Sequence, residues 1–423
     1  MGLLNPLTAV VISFCFLGFM LYKRVNLGIT LNATAILLAL LALDWWNIPK
    51  IAYATVDPAT ADGLLAISVI LATFGIMWLS QLYKETGEIT KLSESLSKLV
   101  RNPKIVLSTL PAIIGFLPVA GGALMSAPIV DAEAEKLKLK PEKKAYVNLW
   151  FRHTIFPVYP LSQVLIVTAA LTGTPLFSII LLQIPTVIVM VIVGFLVGFR
   201  KTSVRTEEAE IKGNGKASLA EFKEFIVAFS PILTTIIVAV LLNALGYGFS
   251  QQGFDVLTAT FVGLAVLVII SSSTLKVLVK PLKSLGIYGV TLAVYGAFLL
   301  RNVMKAAGIP EIFQPLVANG EANIIVLLTV IPAALGFLTG SPSGAIAIGT
   351  SILAGVLTFT PKTAALLYIS AYLGYVIAPT HLCFTFTADY FKSSLGKVYR
   401  YVIPSFIATF ATALTVYFLP LSL

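Results

Sequence analysis

A short sequence pattern occurs twice in this chain, and both copies lie in very apolar sequence. Residues 111–117 read Pro-Ala-Ile-Ile-Gly-Phe-Leu, and residues 332–338 read Pro-Ala-Ala-Leu-Gly-Phe-Leu, at an offset of 221. The same offset aligns Lys84 and Gly87 with Lys305 and Gly308. Paired apolar segments that Gly and Pro interrupt, one in each half, indicate a repeated membrane architecture and are the best sequence pointer to a binding site.

The composition is that of a polytopic membrane protein. The chain has 423 residues, of which 58% are hydrophobic and only 11% charged, and its mean hydropathy is +0.95. A soluble domain carries about 25% charged residues. The net charge of +10 reflects an excess of lysines in cytoplasmic loops, so we expect no nucleic-acid partner. The two cysteines, Cys15 and Cys383, show no disulfide or metal-binding spacing, and we expect no resident metal or cofactor.

The apolar pattern predicts an all-α fold with ten crossings. A helix needs about 20 apolar residues to cross a bilayer. The predicted crossings are 3–22, 27–46, 64–83, 143–172, 175–199, 222–246, 252–273, 284–304, 362–390 and 399–420. Two further apolar stretches, 105–130 and 322–355, contain Gly, Pro and Ser at their centres. We interpret each as a re-entrant hairpin that enters and leaves on one side.

The loop charges predict the sidedness. With both termini outside, 24 of the 29 Lys and Arg residues fall in inner loops, as the positive-inside rule requires. We therefore expect a multi-pass protein of the cell membrane. Each half has five crossings and one hairpin. Because five is an odd number, the second repeat starts on the opposite side of the membrane and is inverted relative to the first. Repeat one is 1–199, repeat two is 222–423, and 200–221 is a polar cytoplasmic linker. Residues 84–104 read as an amphipathic inner-surface helix.

Four predicted interruptions lie at membrane depth, at 118–122, 157–160, 339–344 and 378–380. Irregular backbone is tolerated there only where it faces protein or a wet cavity. Each interruption starts a new helix, whose free N–H groups and dipole favour an anion, while freed carbonyls can coordinate Na⁺. Ser341-Pro342 matches an N-cap followed by proline at the first helical position, and Pro160 and Pro379 are predicted to be placed in the same way.

Polar residues concentrate at these interruptions and form the predicted solute site. Arg152 is the one basic residue that no loop accommodates, and an intramembrane cation usually marks a substrate path or an internal pair. The alternatives for Arg152 are an ion pair with a loop acid such as Glu142, or a side chain that snorkels to the membrane surface. For each histidine the alternative is a packing role. The predicted solute-binding residues are Gly121, Gly122, Arg152, His153, Ser162, Gln163, Ser341, Ser343, Gly344, Thr380 and His381. The predicted coupling-ion residues are Gly115, Pro118, Gly336 and Thr339.

Several motifs resemble the ion transporter superfamily, which contains anion/sodium symporters, gluconate and citrate permeases, and arsenite-pump membrane subunits. They are Leu82-Tyr-Lys-Glu-Thr-Gly87, the hairpins at 115–126 and 336–351, and Ala378-Pro-Thr-His-Leu-Cys383. The chain is most similar to an uncharacterised ten-span prokaryotic branch. The Ser-Asn-Thr signatures of the dicarboxylate members are absent from both hairpin tips. The resemblance implies an elevator carrier and a homodimer, with scaffold parts 1–104 and 222–312 and transport parts 105–199 and 321–423.

The sequence thus favours a secondary active transporter of a small anionic solute, with Na⁺ as the candidate coupling ion. A solute channel and a cation/proton antiporter are the alternatives. Acids are scarce in the predicted spans, which argues against a proton relay on a mid-membrane carboxylate. Metalloprotease and nucleophile-elbow motifs are missing, so we do not expect an enzyme.

Overall fold

The computed structural model describes residues 2–100, 102–118, 122–200, 202, 219–246, 253–319, 323–354 and 356–420. The regular elements in these ranges are helices, and no named β-strand is formed within them. The prediction of an all-helical protein is therefore confirmed.

The helices of the first half are separated by short connections. They are α1 Pro6–Tyr22, α2 Leu27–Ala42, α3 Asn47–Ala54, α4 Ala61–Glu85, α5 Glu88–Leu99, α6 Pro103–Gly115, α7 Ala123–Glu135, α8 Pro141–Arg152, α9 Gln163–Thr172 and α10 Leu176–Gly198.

The second half has a similar order of helices. They are α11 Leu219–Leu245, α12 Phe254–Ser271, α13 Leu275–Val279, α14 Leu285–Ala306, α15 Ile309–Ala318, α16 Ile324–Thr339, α17 Pro342–Leu353, α18 Pro361–Val376, α19 Leu382–Tyr390 and α20 Leu395–Phe418.

Seven segments of the described chain are long and apolar enough to cross a membrane. They are Ala61–Glu85, Pro141–Thr172, Leu176–Gly198, Leu219–Leu245, Phe254–Ser271, Leu285–Ala306 and Leu395–Phe418. Shorter apolar helices include α1, α2, α6, α16 and α17. The helices are consistent with a membrane protein. Fewer segments reach full length than the ten predicted crossings because α1 and α2 are short and the ninth crossing is divided into α18 and α19.

The predicted interruptions are present where the structure describes the chain, and residues 119–121 of the first one lie outside the described residues. The chain leaves the helix between α6 and α7, between α8 and α9, between α16 and α17, and between α18 and α19. Ser341 is the N-cap of α17 and Pro342 its first residue, as predicted. The prediction for Pro160 and Pro379 is wrong: α9 begins at Gln163 and α19 at Leu382. Both prolines lie in the bends before these helices.

Glycines allow the first helix of each hairpin to approach an interrupted segment closely. A Cβ added to Gly115 would lie 2.5 Å from the Arg152 carbonyl oxygen, and one added to Gly336 would lie 2.1 Å from that of Ala371. A Cβ on Gly374 would likewise lie 2.1 Å from the Ala333 oxygen. Real atoms cannot approach so closely, so α6 packs on α8 and α16 on α18 only because these positions have no side chain.

The helices pack in two groups. Within each group, polar side chains form hydrogen bonds from one helix to another. In the first, Asn32 of α2 donates to the Leu292 carbonyl of α14 at 2.9 Å, and Tyr83 of α4 donates to that of Ala228 in α11 at 3.0 Å. In the second, Trp150 of α8 donates to the Met190 carbonyl of α10 at 2.9 Å, and Gln183 of α10 donates to that of Ala365 in α18 at 2.8 Å. Bonds of this kind satisfy polar groups that water does not reach.

The predicted amphipathic helix is present as α5. Its apolar residues Ile89, Leu92 and Leu96 are buried, and they belong to a cluster that includes Ile232 of α11. Lys98 lies 3.8 Å from Glu224. The apolar face of α5 therefore packs on protein, in contrast to a connector that lies on lipid.

Candidate functional site

A cavity of about 230 Å³ lies between the two groups of helices. One wall is formed by α2 and α14, and the other by the first turn of α9 and the start of α17. The lining residues are Asn26, Leu27, Leu31, Gln163, Val167, Gly289, Val290, Ala293, Val294, Ala297, Ser341 and Ser343. Ligand pockets for drug-sized molecules have volumes of about 300–1,000 Å³, so this cavity matches a smaller solute. Three predicted solute-binding residues, Gln163, Ser341 and Ser343, are thus brought together.

Two helices begin at this cavity and supply hydrogen-bond donors. At α17, the Ser341 hydroxyl accepts a bond from the Gly344 amide at 3.2 Å. At α9, the side chain of the N-cap Ser162 makes no capping bond. The buried Nε2 of Gln163 has no hydrogen-bond partner among the described residues. An unsatisfied buried donor is costly, so an acceptor that reached this amide would stabilise it.

Arg152 lies at the end of α8, beside the tip of the first hairpin. Its side chain is among the largest that are fully buried. Nη2 donates to the Leu117 carbonyl at 3.1 Å, while Nε and Nη1 have no hydrogen-bond partner in the described chain. The structure therefore shows neither a pair with Glu142 nor a side chain that snorkels to the surface. Arg152 does not line the cavity.

The two histidines meet, although they come from different halves of the chain. The rings of His153 and His381 are 4.8 Å apart and perpendicular. Nδ1 of His153 lies 2.7 Å from the Leu149 carbonyl, and Nδ1 of His381 lies 3.3 Å from that of Val376. The Tyr375 ring lies 3.9 Å from the His381 ring. These contacts form a compact buried cluster at the two helix interruptions.

The other predicted solute-binding residues are distributed over the hairpins and bends. Gly344 packs against Leu27 of α2. Gly122 is buried and directly precedes α7. Thr380 is exposed and its hydroxyl lies 3.4 Å from the Phe337 carbonyl of the second hairpin. Ser162 is buried immediately before α9. Gly121 lies outside the described residues.

The predicted coupling-ion residues have the following environments. Gly115 and Gly336 are the close-contact glycines described above. Pro118 follows Leu117, whose carbonyl already accepts the bond from Arg152, and a fixed positive charge there opposes a cation at the same oxygen. The Thr339 hydroxyl donates to the Leu335 carbonyl at 2.7 Å and accepts from the Ser341 amide at 3.2 Å. Thr339 thus shapes the second hairpin tip.

Sequence reasoning missed several residues of the site. Asn26 lines the cavity, and its side chain also caps α2 by accepting from Gly28 N at 2.9 Å. Asn148 joins α8 to the first hairpin: its side chain bonds Ser126 at 2.6 Å and the Ala123 carbonyl at 2.8 Å. Cys383 lies beside the histidines. Asn26 carried a recognisable signal, a capping residue before an apolar run. The others become visible only when distant segments are brought together.

Comparison with known proteins identifies a family model that matches this chain. A search of curated proteins finds no match to this chain. The family model described as "Protein of unknown function (DUF401)" matches residues 7–419. This match covers nearly the whole chain, including every helix that forms the cavity and the histidine cluster. The chain therefore belongs to the DUF401 family.

Proposed function

We propose that this protein is a secondary active transporter of a small anionic solute. The cavity at Gln163, Ser341 and Ser343 is the observation that carries the proposal. It lies inside a very apolar helical protein, at the start of two interrupted helices. Interrupted helices that begin at a central polar cavity are the usual substrate sites of secondary transporters.

The chemistry of the cavity favours an anion. Gln163 offers an unpartnered amide donor, the serines offer hydroxyls, and the first turns of α9 and α17 contribute free N–H groups and positive helix-dipole ends. No carboxylate is among the described residues that line it. Arg152 does not line the cavity, but it adds a fixed positive charge whose field extends further in a poorly polarisable interior than in water. The lack of a lining carboxylate also speaks against a cation/proton antiporter.

Correspondences between the halves support an inverted-repeat architecture. Gly87 and Gly308, the pair aligned by the offset of 221, both have positive φ, at 75° and 68°. Gly173 follows α9 and Lys392 follows α19, again with positive φ, at 66° and 52°. Gly115 and Gly336 make equivalent carbonyl contacts. Because each half has five predicted crossings and one hairpin, we propose that the second repeat has the opposite orientation in the membrane to the first.

The two packed groups suggest how transport would occur. We assign 1–104 and 222–312 to a scaffold that dimerises, and 105–199 and 321–423 to a transport part that moves against it. The cavity lies at their boundary, because α2 and α14 belong to the scaffold and α9 and α17 to the transport part. Movement of one part past the other would carry the bound solute across, which is elevator transport. A channel would instead need a continuous pore along this boundary.

Substitutions in the cavity test the proposal. Gln163→Leu and Ser343→Ala each remove a hydrogen-bonding group from the lining while leaving helix capping intact. We expect each to weaken substrate affinity about ten- to 150-fold, since a hydrogen bond to a charged group contributes about 1.5–3 kcal/mol. The substrate would first be selected by thermal-shift screening of carboxylates, sugar acids and amino acids. Saturable uptake into proteoliposomes, with and without a Na⁺ gradient, is the measurement.

Gln183→Leu is the matched control. Gln183 is also buried, but it bonds Ala365 and lies outside the cavity. Its loss should lower thermal stability and leave the substrate Kd unchanged. Normal affinity in both Gln163→Leu and Ser343→Ala would remove the cavity from the transport site. Non-saturable flux would favour the channel.

The predicted sidedness can be tested with single cysteines at exposed positions. In a Cys15→Ser background, Ala59→Cys should react with an impermeant maleimide added outside intact cells. Glu94→Cys on α5 should react only after the membrane is permeabilised. Both positions are exposed in the fold, so access depends on the side of the membrane. Labelling of Glu94→Cys from outside would reverse the topology.

A further inference from the structure

We propose that His153, His381 and Cys383 form a binding site for a soft monovalent metal cation of the Cu⁺ class. One ring nitrogen of each histidine and the Cys383 sulfur lie within 4.8 Å of one another. All three side chains are more than nine-tenths buried, with exposures of 1%, 1% and 5%. The proposal depends on this cluster alone and is independent of the transported solute.

The hydrogen bonds engage Nδ1 of both imidazoles and leave Nε2 of each as the nitrogen that could bind a metal. Each Nδ1 faces a backbone carbonyl, that of Leu149 or Val376. A carbonyl can only accept, so each Nδ1 carries the hydrogen and each Nε2 of the neutral ring keeps its lone pair. Metal-binding histidines are held in this way by a bond from the second ring nitrogen to a carbonyl or carboxylate. Nε2 of His381 is buried with no partner in the described chain.

The two ring nitrogens and the Cys383 sulfur would need to approach one another only slightly to bind one ion. Atoms bound to one ion at about 2.0–2.3 Å lie roughly 3.3–3.8 Å apart. A separation of 4.8 Å would therefore have to shorten by about 1–1.5 Å. All three residues lie at helix ends or just inside a first turn, next to the exposed bend at Pro379 and Thr380. Small side-chain rotations can therefore close the site, and the bend gives an ion a route to it.

The ligand types and the local charge select the ion. Thiolate with imidazole suits copper and zinc and is unsuited to Mg²⁺ or Ca²⁺. Arg152 lies close enough to both rings to interact electrostatically with them. Cu⁺ with a Cys383 thiolate is neutral, whereas Zn²⁺ would add a net positive charge beside the buried guanidinium. Zn²⁺ also usually takes four ligands, and the described residues offer three.

The test is a competition between the purified full-length protein and a chromogenic Cu⁺ chelator, under reducing and anaerobic conditions. The affinity tag must lack histidine, because His153 and His381 are the only two histidines in the chain. We expect one Cu⁺ per chain. Cys383→Ser and His381→Gln should each weaken binding about a hundredfold or more, since even the loss of a supporting partner costs 10- to 100-fold.

Cys15→Ser is the matched control, because Cys15 is exposed on α1 and the chain has no other cysteine besides Cys383. It should bind Cu⁺ as the parent does. X-ray absorption of the Cu⁺-loaded parent should show one sulfur and two nitrogen ligands, which keeps the test decisive if a variant misfolds. Undiminished binding by Cys383→Ser, loss of binding in Cys15→Ser, no uptake from the chelator, or tighter binding of Zn²⁺ would each overturn the proposal.

Discussion

Arg152→Gln is expected to abolish uptake of an anionic substrate while leaving folded protein in the membrane. The guanidinium is buried and makes a single described hydrogen bond, to Leu117. Its charge therefore has no described counter-ion, and in our proposal it acts on an anion in the cavity through its electric field, without direct contact. Arg152→Lys should retain partial activity, because an ammonium keeps the positive charge but does not reproduce the planar guanidinium. Uptake and substrate Kd in proteoliposomes are the measurements.

Arg301→Gln is the control for this experiment. Arg301 lies in the last turns of α14, is partly buried, and interacts electrostatically with Asp62. Neutralising it should leave the substrate Kd within about twofold, because its charge is screened by that acid and by solvent near the helix end. Near-normal affinity in Arg152→Gln, or a transported solute that is neutral or cationic, would contradict the role of Arg152.

Gly336→Ala is expected to destabilise the second hairpin strongly. The added Cβ would lie 2.1 Å from the Ala371 carbonyl oxygen, so α16 would have to move away from α18. Overpacking of this kind costs about 1–3 kcal/mol, against a gain in helix propensity of about 1 kcal/mol. We expect a lower yield of folded protein and a lower thermal unfolding temperature in detergent.

Gly349→Ala is the comparison within the same hairpin. The nearest atoms to a Cβ at Gly349 are 4.0 Å away, which is ordinary contact distance. This substitution should leave the unfolding temperature unchanged or raise it, because alanine favours the helix. Equal stability of the two variants would show that α16 and α18 are not in close backbone contact.

Local chemistry determined much of the architecture. A long apolar run with interior Gly and Pro must form helices that break, since bare backbone is not tolerated in lipid. The breaks between α8 and α9 and between α18 and α19 were therefore predictable, as was the start of α17, where Ser341 and Pro342 satisfy local capping rules. The sidedness, the repeats and the elevator motion stay predictions.

Contacts between distant segments were decided only by the tertiary structure. Gln163 and Ser343 were predicted as site residues, but Gly289 and Asn26, which form the opposite wall of their cavity, carry no sequence mark of that role. His153 and Cys383 come from different halves and share no motif, so their approach depends on how α8 and α19 pack. Capping and helix breaking act over a few residues and can be read from sequence. Helix packing depends on shape across the whole molecule, as the carbonyl contacts of Gly115 and Gly336 show, and no local pattern specifies it.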